Sequence, residues 1–451
     1  MSAASALIEP ASFLGVETSV TGRRWAMRCA GHEAERAIAR MVQAHALPEL
    51  LARVLTGRGV RPDDAAAFLS PKLKALMPDP DGLLDMPKAA SRLAKAVRDG
   101  ETVAVFGDYD VDGAASAAML AEYLRGLGLR VPVHIPDRIA EGYGPNEAAI
   151  AALAAEGASV LVCVDCGTSG HGPLEKAARD GLDVIVLDHH AASEVLPAVH
   201  AVVNPNRRDD LSGLGHLCAA GIVFLTLVAL NRTLRRDGHF GADRPEPRLT
   251  DALDLVALAT VADVVPLRDL NRAFVVQGLS VMRHRGRTGL AALLDAASLS
   301  EPPEAWHLGF VLGPRINAGG RIGDAGLGAR LLGTGNPVEA ARIAADLDRL
   351  NRERQAIEAQ AVAEAEAEMD RALTEDPSLP VLVMGNAEWH PGIVGLVAAR
   401  LKERFGRPAF AFAIRPDGSA TGSGRATGAS NSPSCWPELG GSSPSSTTPA
   451  L

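Results

Sequence analysis

The chain has 451 residues, more than one hydrophobic core usually organises, so two or more domains are expected. No stretch approaches the roughly 20 uninterrupted apolar residues that span a bilayer, and no secretion-signal pattern is present. The five cysteines are scattered and do not suggest a disulfide framework, which favours a reducing cytoplasm. The formal net charge of −9 argues against a protein that coats nucleic acid non-specifically, although a site rich in metal-binding carboxylates would contribute the same sign.

The first half of the chain predicts helices followed by an α/β sheet. Residues 1–47 are a mixed lead-in, and Leu47–Gly100 predicts short amphipathic helices interrupted by prolines. Three short apolar runs then alternate with helical segments, which predicts a parallel sheet with helices on both faces. These runs are Thr102–Phe106, Ser159–Val164 and Asp183–Leu187.

The second half predicts helices and then a smaller α/β unit. Leu214–Leu230 and Leu253–Val265 have the pattern of buried helices, and Pro337 opens a charged, Ala-rich helix that reaches about Leu373. A long helix that is polar all round often connects two domains. The unit that follows is predicted to contain strand Val381–Met384, helix Gly392–Phe405 and strand Ala409–Ile414.

The first chemical signal is the acidic run from Gly107 to Gly113, with aspartates at 108, 110 and 112. In an extended segment, carboxylates at alternate positions project to the same side. Packing three anions so closely is costly unless cations neutralise them. An EF-hand is excluded because Met119 stands where a glutamate should close the loop. A solvated acidic turn remains the alternative to a metal site.

Two further strands are followed by side chains of the same kind. Asp165 ends the second apolar run, and Asp188-His189-His190 ends the third. Because the carboxyl ends of parallel strands lie along one edge of a sheet, where ligands bind, these groups are expected to meet the acidic run there. Asp263, in an apolar segment, adds a carboxylate that should be paired or metal-bound, unless it is an exposed helix-end residue. Oxygen and imidazole ligands together favour Mn²⁺ or Mg²⁺ over structural zinc.

These four segments resemble, in order, the four motifs of the DHH family of phosphoesterases. The acidic run after Phe106 resembles the RecJ branch of that family, because relatives that act on small substrates tend to carry His at this position. The resemblance implies two divalent metal ions, Mn²⁺ or Mg²⁺, bridged by Asp165. The implied metal ligands are Asp110, Asp112, Asp165, His189 and Asp263.

The resemblance also implies roles for neighbouring residues. Asp108 would compensate for the absent histidine, Asp188 would orient the metal-ligand histidine beside it, and His190 would face the scissile phosphate, so these three are the catalytic candidates. The chain departs from the family's usual Val-Asp-Asn-Gly, because Cys166 replaces the asparagine. Cys163 and Cys166 thereby acquire a CxxC spacing, which is interpreted as incidental because Cys163 lies in a core strand and no second cysteine pair accompanies it.

Two later segments are candidates for handling the substrate. In Gly313–Arg321, arginine forks suit phosphate oxygens and bare glycine backbone can approach a ligand, although a basic surface turn is the alternative. Trp389–Gly395 precedes a helix start, which attracts phosphates, and its Trp or His can stack on a base; a buried Trp is the alternative. The first segment resembles a RecJ motif, whereas Trp389–Gly395 and Gly422–Arg425 resemble motifs of the DHHA1 domain. The implied nucleic-acid contacts are Arg315, Asn317, Arg321, Trp389, His390, Ser423 and Arg425.

The resemblance implies a fold and an activity. The expected fold is α/β, with a parallel-sheet DHH catalytic domain joined by a long helix to a smaller, incomplete α/β DHHA1 domain. The expected activity is a metal-dependent 5′→3′ exonuclease acting on single-stranded DNA in repair and recombination, with single-strand-binding protein and a helicase as partners, and no membrane. The expected divisions are 1–100, a lead-in and helical segment; 101–335, catalytic; 336–373, connecting helix; 374–425, partial DHHA1; and 426–451, an aberrant tail.

The tail carries a separate expectation. Thr427–Leu451 is rich in Ser, Pro, Gly and Thr, a composition typical of disorder, and the family would continue here with a strand, a GGH motif and an OB-type domain. A frameshift or truncation near Arg425 is therefore predicted, and the genomic DNA would test it.

Two other functions stay open from the sequence. One retains the metals but hydrolyses short oligonucleotides, cyclic dinucleotides or polyphosphate, against which Phe106 and the Gly313–Arg321 segment argue. The other is a truncated, inactive product that binds nucleic acid weakly or fails to fold. A local basic cluster of Arg283, Arg285 and Arg287 keeps nucleic acid open as a partner despite the net charge.

Overall fold

A computed structural model describes residues 12–138 and 140–427 of the chain. These residues form two compact units, one of the residues up to Met77 together with Arg268–Ala273, and one of Pro78–Leu267 together with the residues from Phe274 onward. The expected disordered tail lies, apart from its first two residues, outside the described residues.

The described residues of the first unit form four α-helices before Met77. They bury a small apolar core, and their prolines fall between the helices as the sequence predicts. The core consists of Ile38, Met41, Ala52, Leu55 and Ala65. The helices are α1 (His32–His45), α2 (Glu49–Gly57), α3 (Ala65–Leu69) and α4 (Leu73–Leu76).

The second unit is built on a parallel sheet of five strands in the order β2-β1-β3-β4-β5. The three strands expected from the apolar runs are present, which confirms the α/β fold class. The other two strands are too short to give a sequence pattern. The bounds are β1 (Thr102–Gly107), β2 (Val133–His134), β3 (Ala158–Val164), β4 (Asp183–Leu187) and β5 (Ala201–Val203).

Helices pack on both faces of this sheet. The Ala-rich α6 is buried on nearly all sides because it lies against β1 and against three other helices, α9, α10 and α15. The helices up to residue 296 are α5 (Met86–Asp99), α6 (Val111–Gly126), α7 (Glu147–Ala155), α8 (His171–Arg179), α9 (Ala219–Arg236), α10 (Leu253–Ala262), α11 (Asp269–Arg283) and α12 (Thr288–Ala296).

One predicted boundary of each of the two buried helices, α9 and α10, is wrong. Helix α9 begins at Ala219 and not at Leu214, because a carboxylate from another element caps it there. Helix α10 ends at Ala262 and not at Val265, because Val264 has a φ of 61° and leaves the helix.

A continuous helical rod follows, and then the long helix. The rod consists of α13 (Ala305–His307), a π-helical segment (Leu308–Leu312) and α14 (Gly313–Ile322); α15 (Leu327–Gly333) and α16 (Pro337–Glu375) come next. Helix α16 confirms the predicted long helix. It is not polar all round, because it buries a stripe that includes Ala340, Ile343, Ala344 and Leu347.

The smaller α/β unit packs against the far half of α16. Strand β6 (Leu382–Asn386) pairs in parallel with β7 (Ala409–Ile414), and β8 (Ala420–Arg425) pairs with β7 antiparallel. Helix α17 (Val394–Phe405) begins two residues later than expected. In the described part of the chain no helix is long and apolar enough to cross a membrane.

Candidate metal centre and nucleic-acid interface

The acidic run leaves strand β1 and enters helix α6 at once, so the expected alternation of three carboxylates along an extended segment is wrong. Asp110 is the N-cap of α6, and its Oδ1 accepts the backbone N–H groups of Asp112 and Gly113 at 2.9 and 3.1 Å. Gly113 is required because a Cβ there would lie 2.4 Å from the backbone oxygen of Asp108. The turn of the helix, and not strand geometry, gathers these carboxylates.

Asp165 stands where β3 ends, and its backbone has a φ of 60°. Positive φ is uncommon for a residue other than glycine and costs free energy, and such strain clusters at functional sites. The Asp165 side chain is buried, and its Oδ1 lies 3.3 Å from Nε2 of His189. The backbone thus directs this carboxylate toward the histidine that follows β4.

His189 connects the carboxylates of three chain segments. In addition to Asp165, its Nε2 lies 3.7 Å from Asp112 Oδ2 and 3.6 Å from Asp263 Oδ2. Asp263, at the C-terminal end of α10, is therefore not the exposed helix-end residue that the sequence left open. The structure brings together every aspartate and histidine that the sequence named for this site.

Asp188 fixes the geometry of the histidine pair. Its Oδ1 accepts the backbone N–H groups of His189 and His190 at 2.8 and 3.2 Å and also lies 2.8 Å from Nδ1 of His190. Its Oδ2 accepts the backbone N–H of Thr168 at 3.0 Å. Asn204 donates to the Thr168 hydroxyl and to the backbone oxygen of His190, which braces the same loop. Sequence reasoning missed Thr168 and Asn204 because neither belongs to a charged motif.

The electrostatics of the cluster favour the binding of cations. Burial, followed by the Asp110 charge, raises the pKa of Asp108, and burial with neighbouring carboxylates raises the pKa of Asp165. Burial and the Asp112 and Asp110 charges raise the pKa of Asp263 to about 8. These shifts measure how unfavourable several buried anions are without a counter-charge.

The unsatisfied atoms also fit metal ions. Four buried side-chain atoms of the cluster lack a hydrogen-bond partner among the described residues: Asp108 Oδ1, Asp165 Oδ1, His189 Nε2 and Asp263 Oδ2. Potential ligand atoms within 4.8 Å of one another form overlapping groups, one of Asp108, Asp110 and Asp165, one of Asp112, His189 and Asp263, and one of Asp165, His189 and His190. Carboxylate oxygens with imidazole nitrogen suit Mn²⁺ or Mg²⁺.

The rod from Ala305 to Ile322 borders the cluster and corrects another expectation. Its glycines do not form a flexible turn, because Gly313–Ile322 is helix α14. Asn317 Oδ1 accepts the backbone N–H of Val111 at 3.0 Å, and Gly320 is so close to Tyr109 that a Cβ would lie 3.0 Å from its backbone oxygen. The glycines therefore allow the helix to approach the acidic run.

Arg315 differs from its predicted role as a free phosphate contact. Its Nε lies 3.0 Å from Asp348 Oδ1, and its Nη1 donates to the backbone oxygen of Val311. The guanidinium group of Arg315 is consequently held in an ion pair with Asp348 of α16. Two of the three arginines of the basic cluster at the end of α11 are committed in the same way, since Arg285 pairs with Asp295 and Arg287 with Asp254.

The smaller α/β unit meets the rod at Gly392, where a Cβ would lie 2.1 Å from the backbone oxygen of Arg321. Arg321 Nη1 donates to the Gly392 oxygen at 3.3 Å, and burial lowers its pKa. Gly395, at the start of α17, faces Ser423 and Arg425, whose Nη1 donates to the Ser423 hydroxyl at 3.0 Å. These side chains surround the N-terminal end of a helix, where phosphates are favoured.

The two aromatic candidates of this unit behave differently from the arginines. Trp389 is only 5% exposed, packs in the core of the smaller unit and donates through Nε1 to Glu364. Its ring is therefore not available to stack on a base. The expected base contact is wrong, and the alternative of a buried Trp is correct. His390 is half-buried, and its Nδ1 accepts the backbone N–H of Gly392 at 3.0 Å.

Arg138 is the functional candidate that the sequence did not indicate. Its guanidinium carbon lies 5.3 Å from the ring centroid of Tyr109. Burial is the main cause of the lowered pKa of Arg425, and the charge of Arg138 lowers it further. The charge of Arg138 also lowers the pKa of Arg321. Arg138 and Arg321 thus lie beside the acidic run, and Arg425 lies near Arg138. Arg138 lies in a loop without a recognisable motif, so only the folded chain identifies it.

Cys163 and Cys166 are free, buried thiols, and the Cys166 Sγ donates to the backbone oxygen of Phe106 at 3.9 Å. The neighbouring Cys163 thiol, followed by burial, raises the pKa of Cys166. A raised thiol pKa makes a cysteine unreactive. This agrees with the interpretation of the CxxC spacing as incidental.

Comparison with known proteins gives the family. A model described as the DHH family, N-terminal domain, matches residues 102–260. The single-stranded-DNA-specific exonuclease RecJ of Dickeya dadantii (strain 3937) is 42% identical over 395 residues, which cover 84% of this chain and 66% of that relative. This chain thus spans just under two thirds of the length of such curated relatives.

Comparison with solved structures indicates the same family. A manganese-bound exonuclease RecJ is 34% identical with a TM-score of 0.65, and the match covers 78% of this chain and 84% of that one. RecJ from Thermus thermophilus in complex with Mn²⁺ is 32% identical with a TM-score of 0.70, covering 87% of this chain and 54% of that one. The chain therefore belongs to the RecJ family of DHH-domain proteins.

Proposed function

We propose that this chain is a two-metal phosphodiesterase that hydrolyses single-stranded DNA from its 5′ end, in DNA repair and recombination. The observation that carries the proposal is the position of Asp165, whose buried carboxylate is shared by two groups of side chains that could bind a metal ion. The manganese-bound RecJ structures and the single-stranded-DNA-specific relatives support the choice of metal and substrate.

Asp110, Asp112, Asp165, His189 and Asp263 would hold two Mn²⁺ or Mg²⁺ ions, with Asp165 between them. Bound there, the two ions would activate a water molecule and stabilise the charge of an in-line phosphoryl displacement. Asp108 adds buried negative charge beside Asp110.

Other side chains of this chain would orient the substrate. Burial opposes protonation of His190, but the Asp188 hydrogen bond and nearby carboxylates raise its pKa to about 9. Because Asp188 occupies Nδ1, the Nε2–H of His190 is the group available to a phosphate oxygen. Arg138, Arg321 and Arg425 would bind phosphates through their guanidinium forks, assisted by Asn317, Ser423 and His390.

The domain divisions, partners and location belong to the same proposal. Residues 101–335 would be the catalytic domain, 336–373 the connecting helix and 374–425 a partial DHHA1 domain. Single-strand-binding protein and a helicase would deliver the substrate. A cytoplasmic location would keep the described cysteines reduced, as the free thiols require.

The decisive experiment is digestion of 5′- and 3′-labelled single strands by the full chain with Mn²⁺. Mononucleotides should appear first from the 5′ label, and Asp165→Asn should lower the rate by at least about a thousandfold, as loss of a group central to electrostatic catalysis does. Asp180→Asn, on the surface beside the end of α8, is the matched control and should retain full activity.

The same assay distinguishes the alternatives. Faster hydrolysis of dinucleotides than of long strands would replace the exonuclease with a small-substrate phosphodiesterase. Strand binding without hydrolysis at any Mn²⁺ concentration would contradict the catalytic proposal.

A further inference from the structure

The first compact unit, which consists of the residues up to Met77 and Arg268–Ala273, is cationic although the chain as a whole is anionic. It contains twelve Lys and Arg against eight Asp and Glu, a formal charge of +4 in a chain whose net charge is −9. Charge of one sign that is concentrated in one part of a protein attracts ligands of the opposite sign. The negative net charge of the whole chain therefore does not describe this unit.

Most of these cations have no carboxylate partner. Five of the twelve lie within 4.0 Å of a carboxylate oxygen, for example Arg40 beside Asp63 and Arg61 beside Asp64. The other seven form no ion pair among the described residues: Arg23, Arg28, Arg36, Arg58, Lys72, Lys74 and Arg272. The excess positive charge of the unit is therefore available to an external anion.

Three of these seven side chains meet at the C-terminal end of helix α2. The aliphatic part of Arg28 packs on the last turn, where a Cβ at Gly57 would lie 3.4 Å from its Cδ. Arg58 follows that turn directly as the C-cap of α2. Burial lowers the pKa of Arg272, and the charge of Arg58 lowers it further, so these two guanidinium groups lie close to each other. Arg28, Arg58 and Arg272 are called the arginine cluster below.

The guanidinium group of Arg272 is held in place by Phe68. Its central carbon lies 4.0 Å from the centroid of the Phe68 ring, and its Nε donates to the Phe68 backbone oxygen at 2.5 Å. Its two terminal amino groups have no hydrogen-bond partner among the described residues. A side chain that is already held in one position loses little conformational entropy when it binds a ligand.

The structure of the unit alone does not account for this arrangement. Like charges that lie close together without a counter-charge are unfavourable. A helix C-terminus favours a cation nearby by about 0.3–1 kcal/mol, which accounts for Arg58. It does not account for two further unpaired arginines at the same place. An anion that all three guanidinium groups share would compensate the whole cluster.

We propose that the arginine cluster is a phosphate-binding site that holds the sugar-phosphate backbone of DNA, double-stranded as well as single-stranded. The choice of DNA as the source of the phosphates rests on the proposed function, and no residue of the cluster belongs to the proposed metal centre. Guanidinium forks match phosphate oxygens in a bidentate geometry. Three of them from separate chain segments would bind neighbouring phosphates of one backbone.

The cluster would bind phosphates and not bases. Its aromatic side chain, Phe68, has one ring face covered by Arg272, and the ring itself packs against the small core of the unit. Binding would therefore be independent of base sequence. A duplex offers the same phosphates as an unpaired strand and a higher density of charge, so duplex binding measures this site apart from a metal centre that acts on unpaired strands.

The test is the salt dependence of binding to a fluorescent duplex of about 20 base pairs, two helical turns, without metal. Arg58→Ala should weaken binding about five- to tenfold at about 0.1 M salt and lower the slope of log affinity against log salt by about 0.9, because one phosphate contact is lost. Arg28→Ala should have the same effect, and the double variant should lower the slope by about 1.8. Arg58→Lys should keep the slope, because it keeps the charge.

Arg61→Ala is the matched control. Arg61 is an exposed arginine three residues after Arg58, and its removal changes the net charge of the unit by the same amount, but it is paired with Asp64 at 2.7 Å. Its salt slope should equal that of wild type. Thermal unfolding checks that each variant is folded. A slope that stays at the wild-type value in both Arg58→Ala and Arg28→Ala, or that Arg61→Ala lowers equally, would overturn the site.

Two further arms identify the ligand. Polyglutamate that binds in a manner dependent on Arg58, together with duplex binding that does not depend on Arg58, would assign the cluster to an acidic protein segment and contradict the proposal. Strand hydrolysis in Mn²⁺ is measured with the same proteins. Duplex binding that depends on Arg58, in a protein that hydrolyses no strand, would support the site and contradict the catalytic proposal. Hydrolysis by a wild type whose duplex binding is independent of Arg58 would do the reverse.

Discussion

Asp112 accepts the backbone N–H of Ala219 with its Oδ2 at 2.6 Å, and its Oδ1 accepts that of Ala220 at 2.8 Å. One buried carboxylate on α6 therefore caps helix α9 and also belongs to the proposed metal centre. Asp263, which lies across His189 from Asp112, has no such hydrogen bonds at its Oδ2 among the described residues. The two carboxylates should respond differently when metal is removed.

We expect Asp112→Asn and Asp263→Asn to have opposite effects on the metal-free protein. Asparagine at 112 would point an amide N–H₂ at one of two helix N–H groups and cost about 1–2 kcal/mol. At 263 it would remove a carboxyl group whose pKa the fold raises and whose ionisation therefore favours the unfolded chain, which stabilises the folded state by about 1 kcal/mol or more. Thermal unfolding in EDTA checks both signs.

With Mn²⁺ both variants should lose stabilisation. A site filled at about 100 times its dissociation constant stabilises the folded state by about 2.7 kcal/mol, and each variant should forfeit much of this. A metal-free Asp263→Asn that melts below wild type would show that this carboxylate is satisfied without metal.

The close contact of Gly320 with Tyr109 gives the next prediction. Gly320→Ala would place a Cβ 2.8 Å from the Tyr109 ring and 3.0 Å from its backbone oxygen, so α14 must shift away from the acidic run. We expect about 1–3 kcal/mol of destabilisation and a large loss of nuclease rate. Gly333→Ala in α15 is the control, because its nearest neighbour would be 3.8 Å away. It should be neutral or stabilising by up to about 1 kcal/mol, and equal behaviour of the two variants would contradict the contact.

The parts of this fold that the sequence predicts are those with local signals. Strands β1, β3 and β4 are short apolar runs, each followed by Asp or His, and parallel topology alone requires their ends to meet. The acidic side chains of the cluster were therefore predictable before any coordinates. Strand β2, with two residues, has no pattern of its own and forms only because β1 offers an edge.

The other features of the fold and the site depend on contacts between residues that are distant in the chain, and such contacts produce no pattern in the local sequence. Glycines in Gly313–Ile322 lower helix propensity, yet the segment is helical because they let it approach Tyr109. Arg315 and Arg138 are chemically identical residues, and only the fold commits the first to Asp348 and leaves the second beside the metal centre. The burial of Trp389 likewise follows from its packing on α16, not from its neighbours in the chain.

Arg315 and Arg138 form a pair for testing that distinction. Arg315→Ala removes one partner of a buried ion pair and should lower stability by about 2 kcal/mol while leaving the salt dependence of strand binding unchanged. Arg138→Ala should leave the melting temperature near wild type and lower the slope of log affinity against log salt by about 0.7, the loss of one phosphate contact. The reverse pattern would restore Arg315 as a phosphate ligand.

The last prediction concerns pH and lies away from the metal centre. Glu101, at the start of β1, pairs with Arg92 at 2.6 Å, and hydrogen bonds from this arginine, and from Ser159 and Lys95, lower its pKa from 4.5 to about 2 despite partial burial. A carboxyl group whose pKa is lowered by folding stabilises the folded state above its ordinary pKa and loses that contribution as the pH falls to the folded pKa.

Glu101→Gln should therefore destabilise the protein by about 1–3 kcal/mol at about pH 7, with the difference from wild type shrinking between pH 4.5 and pH 2. Asp180→Asn, which breaks the exposed pair with Lys176, should change stability by less than about 1 kcal/mol. Denaturant unfolding of the three proteins at about pH 7, 4.5 and 3 checks the trend, and a Glu101→Gln deficit that grows on acidification would contradict it.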